Sequence, residues 1–96
     1  MNANMYLSKA LRHMGDQYKS SPEDTRLAAK MITFIDNLTT LTSNTRNNKL
    51  MQSCSNLLNK LNAPRAVPDT DGRLSVIIPR AQRLQSVFGR SFRFID

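Results

Sequence analysis

Six arginines, Arg65, Arg73, Arg80, Arg83, Arg90 and Arg93, are the only basic residues after Lys60. Arginine offers a planar fork of donors that pairs bidentately with a carboxylate or a phosphate and tolerates desolvation better than lysine. Towards the end of the chain Phe92 and Phe94 are interleaved with Arg90 and Arg93. Arginine and aromatic side chains are the types enriched at the energetic centres of protein interfaces. The same residues can hold phosphates and stack on bases, so nucleic acid is the competing reading. A solvated charge is the ordinary use of any single one of them. Taken together, and with Ile77, Ile78, Phe92 and Phe94 expected to be exposed beside them, Arg73, Arg80, Arg83, Arg90, Phe92, Arg93 and Phe94 read as a partner-binding set.

A second kind of chemistry sits at Val67, Pro68 and Asp69. In an exposed segment an X–Pro bond populates both isomers and exchanges over roughly tens of seconds. Val67, Pro68 and Asp69 are therefore a physically sensible docking site for a prolyl isomerase, against the commoner alternative of a plain trans-proline spacer. Bond-making chemistry lacks its parts. The chain has one histidine and one cysteine, with no glycine-rich phosphate loop and no carboxylate pair on a credible pocket. His13 lies off the apolar stripe of its helix and reads as solvated, whereas Cys54 sits among leucines and reads as a small buried residue. The expectation is a protein that is not an enzyme and carries no cofactor or metal.

The elements that must carry these residues divide at residues 62–73. Helical spacing places Leu7, Leu11, Met14 and Tyr18 on one face of a first helix over about residues 3–19. Gly15 weakens it by about 1 kcal/mol relative to alanine. Ser21 is the expected cap of a second helix, with Pro22 in its first position and Glu23 and Asp24 at the positive end of its dipole. That helix carries Leu27, Met31, Ile35 and Leu38, and the threonine-rich run 39–45 should end it near residue 42. A third helix over about 46–61, capped by Asn44 or Thr45, carries Leu50, Cys54, Leu57 and Leu61, widened by Leu58. Three such stripes pack as a small antiparallel bundle. Pro64, Pro68 and the D-T-D-G turn ending at Gly72, which can take positive φ, then make an exposed connector. Beyond it, β-branched Leu74–Ile78 should be extended, and Pro79 should open a short helix stopped by Gly89.

The fold class expected is thus mainly α: a three-helix body over 1–61, a proline-containing connector over 62–73, and an arginine-rich arm over 74–96 with a short extended segment and a short helix. Fourteen Lys and Arg against seven Asp and Glu give a net charge of +7, which attracts nucleic acid, anionic lipid or an acidic protein face. Membrane-surface binding is disfavoured because no helix pairs a large apolar face with a basic one. Against nucleic acid stand the missing RNP, zinc-finger and helix-turn-helix signatures and a helical body without a dense lysine stripe. A single cysteine permits no internal disulfide. The opening residues lack a signal peptide's apolar run, and nothing approaches the roughly 20 apolar residues of a membrane span, so a soluble cytoplasmic protein is expected.

The opening M-N-A-N-M-Y-L-S-K-A-L, the connector A-P-R-A-V-P-D-T-D-G with Pro68, and the close at Asp96 resemble the accessory anti-RecBCD proteins of lambdoid phages, over the full length of the chain. The resemblance implies a phage protein in the host bacterial cytoplasm that binds the RecBCD helicase–nuclease through its RecC subunit. The host complex would be modified so that phage DNA ends survive and phage recombination proceeds, with DNA contacted indirectly through RecBCD. A host cyclophilin-type prolyl isomerase would engage the connector at Pro68.

Overall fold

Four apolar stripes, not three, shape the molecule. The computed structural model describes residues 3–41, 47–62 and 72–89, which form α1 (Ala3–Ser20), α2 (Thr25–Leu41), α3 (Asn48–Asn62) and α4 (Arg73–Gly89). In α1 the expected stripe holds, with Leu11 and Tyr18 buried and Leu7 and Met14 packed against the core. In α2, Met31 and Ile35 are buried and Leu27 and Leu38 flank them. In α3, Leu50, Cys54, Leu57, Leu58 and Leu61 are all buried.

The helix starts differ from the expected ones. Asp24 caps α2: its carboxylate accepts from the backbone N–H of Arg26 and Leu27 at 3.0 and 3.2 Å. Ser21 is instead the first residue of the preceding turn, its carbonyl accepting from the Asp24 N–H. A carboxylate at the positive helix end gains from the dipole as well as from the hydrogen bonds, which favours Asp24 over the serine hydroxyl. Asn47 caps α3 through a 3.0 Å bond from the Leu50 N–H, in place of Asn44 or Thr45, which lie outside the described residues. Near its end, α2 bends hydroxyls back onto its own backbone, Thr39 to the Ile35 carbonyl and Thr40 to that of Asp36.

The largest correction concerns residues 74–78. They are not extended but form the first turns of α4, and Leu74, Ile77, Ala81, Leu84, Val87 and Phe88 are buried along it. Packing of this i, i+3, i+7 stripe overrides the strand preference of Val76, Ile77 and Ile78, since β propensity is weak and set by context. Pro79 does not open a helix; it lies inside one. Its missing N–H leaves the Ser75 carbonyl without its usual partner. Gly72 precedes α4 with φ +64°, the positive value its type allows. Gly89 ends α4 as expected. A Cβ there would meet Met51 Sδ at 2.7 Å, so the helix end lies close against α3.

Contacts set the topology. Ser8 meets Ser53, and Gly15 meets Leu57 and Lys60, so α1 and α3 advance together as parallel neighbours. Arg73 reaches Pro22 and Arg80 reaches Asp36, which makes α2 and α4 parallel as well. Asn47 donates to the Phe88 carbonyl and Gln85 to Ser55, so α3 and α4 are antiparallel. Around the bundle the order is α1, α3, α4, α2, with only a light contact closing the ring between α1 and α2. Consecutive helices therefore alternate in direction, as expected of an antiparallel bundle, but α2 packs on α4 and touches α1 only lightly.

Candidate interaction site

The residues expected to form a partner surface divide into three groups. Arg73 and Arg80 serve the fold: the Arg73 guanidinium donates to the Pro22 carbonyl at 2.7 Å, and Arg80 Nε pairs with Asp36 Oδ2 at 3.3 Å. A second Arg80 nitrogen donates to the Val76 carbonyl one turn back. Both arginines staple α4 to α2 or to the turn before it. Arg83 is exposed. Arg90, Phe92, Arg93 and Phe94 lie outside the described residues, as do Val67, Pro68 and Asp69 of the isomerase docking segment.

Ile77 is not available to a partner, being 0 % exposed, and Ile78 packs against the core. What α4 does present outward is Val76, Pro79 and Arg83, at i, i+3 and i+7. Val76 is 37 % exposed, a large apolar side chain left at the surface. This strip was missed because the β-branched run read as a strand, which assigns alternate residues to opposite faces. A helical reading of 73–89 would have found it.

The chemistry-bearing residues are placed as expected. His13 is exposed. Cys54 is fully buried, and burial pushes its thiol up to about 12, so it is no nucleophile. Among the described residues no three His, Cys, Asp or Glu side chains gather to hold a metal ion. No helix among them is long and apolar enough to cross a membrane.

Polar side chains join the helices. Ser53 donates to the Lys49 carbonyl, so the buried Ser8 hydroxyl must be the donor in the 2.6 Å bond to Ser53. On the rim, Lys60 Nζ sits 2.7 Å from Asp16 and also donates to the Arg12 carbonyl. The described residues of this small basic chain thus fold as four packed helices. No known protein family, curated protein or solved structure matches the chain.

Proposed function

We propose that this chain is a binding modulator without catalytic chemistry of its own: a phage-encoded protein that docks on the host RecBCD helicase–nuclease, through RecC, in the bacterial cytoplasm. Docking alters the action of the complex on DNA ends, protecting phage DNA and promoting phage recombination. The observation that carries the reading is the outward strip of α4, Val76, Pro79 and Arg83, which leads directly into the arginine and phenylalanine residues 90–94. An apolar side chain beside an arginine on a rigid helix is the kind of anchor that protein interfaces use. The likeness of the whole sequence to anti-RecBCD accessory proteins supplies the partner. On the same reading a cyclophilin-type prolyl isomerase binds Val67, Pro68 and Asp69.

The test uses purified RecBCD and the full chain. Co-elution in size-exclusion chromatography, and a changed rate of duplex degradation, are the expected results. Replacing Val76 by Asp together with Arg83 by Glu should weaken association about tenfold or more, as loss of a hot spot does. Helical circular dichroism should stay the same, since both residues point outward. Unchanged association would move the interface off α4, and absence of any complex would sink the RecBCD reading.

A further inference from the structure

The outer surface where α1 and α3 run side by side gathers cations, most of them without a carboxylate partner among the described residues. Lys9 and Arg12 come from α1, and Lys49 and Lys60 from α3. Helix α3 contains no acidic residue, and α1 contains only Asp16, already held by Lys60. No carboxylate among the described residues pairs with Lys9, Arg12 or Lys49. On α4, by contrast, Arg73 and Arg80 are turned to internal use. The result is a positive field along this face.

This surface is shaped as well as charged. Two shallow hollows adjoin along the α1–α3 seam, and Arg12 lines both. One hollow adds Lys9, His13 and the paired Asp16 and Lys60, and the other adds Lys49 with the amides of Gln52 and Asn56. From Lys49 to Lys60 the helix rises about 16 Å, so the strip is long enough for several contacts along a chain-like ligand. One turn before Lys9 on α1, Tyr6 stands 61 % exposed with its ring unused by the core.

We propose that this α1–α3 face binds single-stranded nucleic acid, with Lys9, Arg12 and Lys49 holding phosphates and Tyr6 offering its ring to a base. A basic groove that tracks the backbone, combined with an aromatic platform, is how sequence-tolerant single-strand binding is built. A lipid surface would call for an apolar band along the face. The α3 half presents Gln52, Asn56 and Asn59 instead, whose amides suit base edges and phosphates. The proposal is independent of the RecBCD reading, in which DNA is reached only through the partner.

The experiment measures fluorescence anisotropy of a labelled oligodeoxythymidine with the full chain, at several salt concentrations and with no other protein present. Binding is expected, stronger than to a duplex of the same length. Arg12→Glu with Lys49→Glu should weaken it about tenfold or more and flatten its dependence on salt, because phosphate contacts release counterions. Arg26→Glu with Lys30→Glu makes the same change in net charge on α2 and should cost less than about threefold if the contacts are local. Tyr6→Ala should cost about tenfold through lost stacking. Circular dichroism checks each fold, and Arg12→Gln with Lys49→Gln replaces the glutamate pair if that pair unfolds. Equal losses from the two charge pairs would overturn the assignment by showing delocalised attraction. So would an unaffected Tyr6→Ala, tighter binding of the duplex, or capture of the chain by phosphatidylglycerol vesicles but not by the oligonucleotide.

Discussion

Cys54 and Gly15 show what burial does to single residues. With 0 % exposure among leucines, the Cys54 thiol is raised from its ordinary 9.0 to about 12 because desolvation penalises the thiolate. A raised folded value means the folded state holds its proton where the unfolded state loses it. The corresponding stability is complete below pH 9 and drains away as pH climbs towards 12. Urea unfolding at a series of pH values should show a steeper alkaline decline for the native chain than for Cys54→Ala. The two curves should run parallel below pH 9, with the variant lower by roughly 1–2 kcal/mol for the lost sulfur contacts. Parallel curves throughout would mean that the thiol is hydrated. Gly15 carries a different lesson. A Cβ there would lie 2.9 Å from Lys60 Cδ and 3.2 Å from Leu57 Cδ1, so the glycine permits the close approach of α1 to α3. Its helix-weakening effect is real, yet removing it collides with packing. Gly15→Val should lower stability by about 1–3 kcal/mol in thermal or urea melts, the usual cost of overpacking. A stabilised variant would contradict the close seam.

At the level of elements, α4 is where sequence and structure part, and Pro79 tests the difference. If residues 73–89 are one helix, Pro79 leaves the Ser75 carbonyl unbonded and its outward position offers no packing in return. Pro79→Ala should then raise stability by about 1–3 kcal/mol, read from the urea midpoint. A neutral or lower value would restore the boundary between strand and helix at Pro79. The first three helices were legible because each repeats apolar residues, mostly leucine, methionine or isoleucine, at helical spacing over about three turns. Val76, Ile77, Ile78 and Pro79 speak in the opposite sense locally, and only the buried partners on α2 and α3 decide against them. Caps were partly legible: several Ser, Thr, Asn and Asp residues compete before each start, and the choice of Asp24 or Asn47 depends on where the turn delivers the chain. Least legible was the α1–α3 face. Its cations sit on two helices separated in sequence by a third, so no lysine stripe is visible until the parallel packing brings Arg12 beside Lys49.

At the level of the whole molecule, the parallel pairs make every helix dependent on one distant in sequence. Helix α1 needs α3, α2 needs α4, and the antiparallel α3–α4 contact joins the two pairs. Between α1 and α2 the contact is slight, so neither supplies much of the other's buried surface. A body ending at residue 62 would therefore leave α2 without its main partner. It would also lose Leu74, Ile77, Ala81, Leu84, Val87 and Phe88, which complete the common core. A fully buried aliphatic or aromatic side chain contributes roughly 1.5–3 kcal/mol, and the net stability of a domain this small is only several kcal/mol. Removing α4 thus exceeds what the remainder can absorb. A fragment of residues 1–62 should keep some helical circular dichroism yet unfold without a cooperative transition and bind a hydrophobic dye. The full chain should unfold as one unit. Adding a synthetic peptide of residues 72–89 to the fragment should recover part of the cooperative transition, because the missing face is then supplied in trans. A sharp, dye-free transition in the fragment alone would mean that three helices suffice and that α4 is an appendage. That outcome would also free the buried stripe of α4 from structural duty and recast α4 as a mobile partner-binding arm.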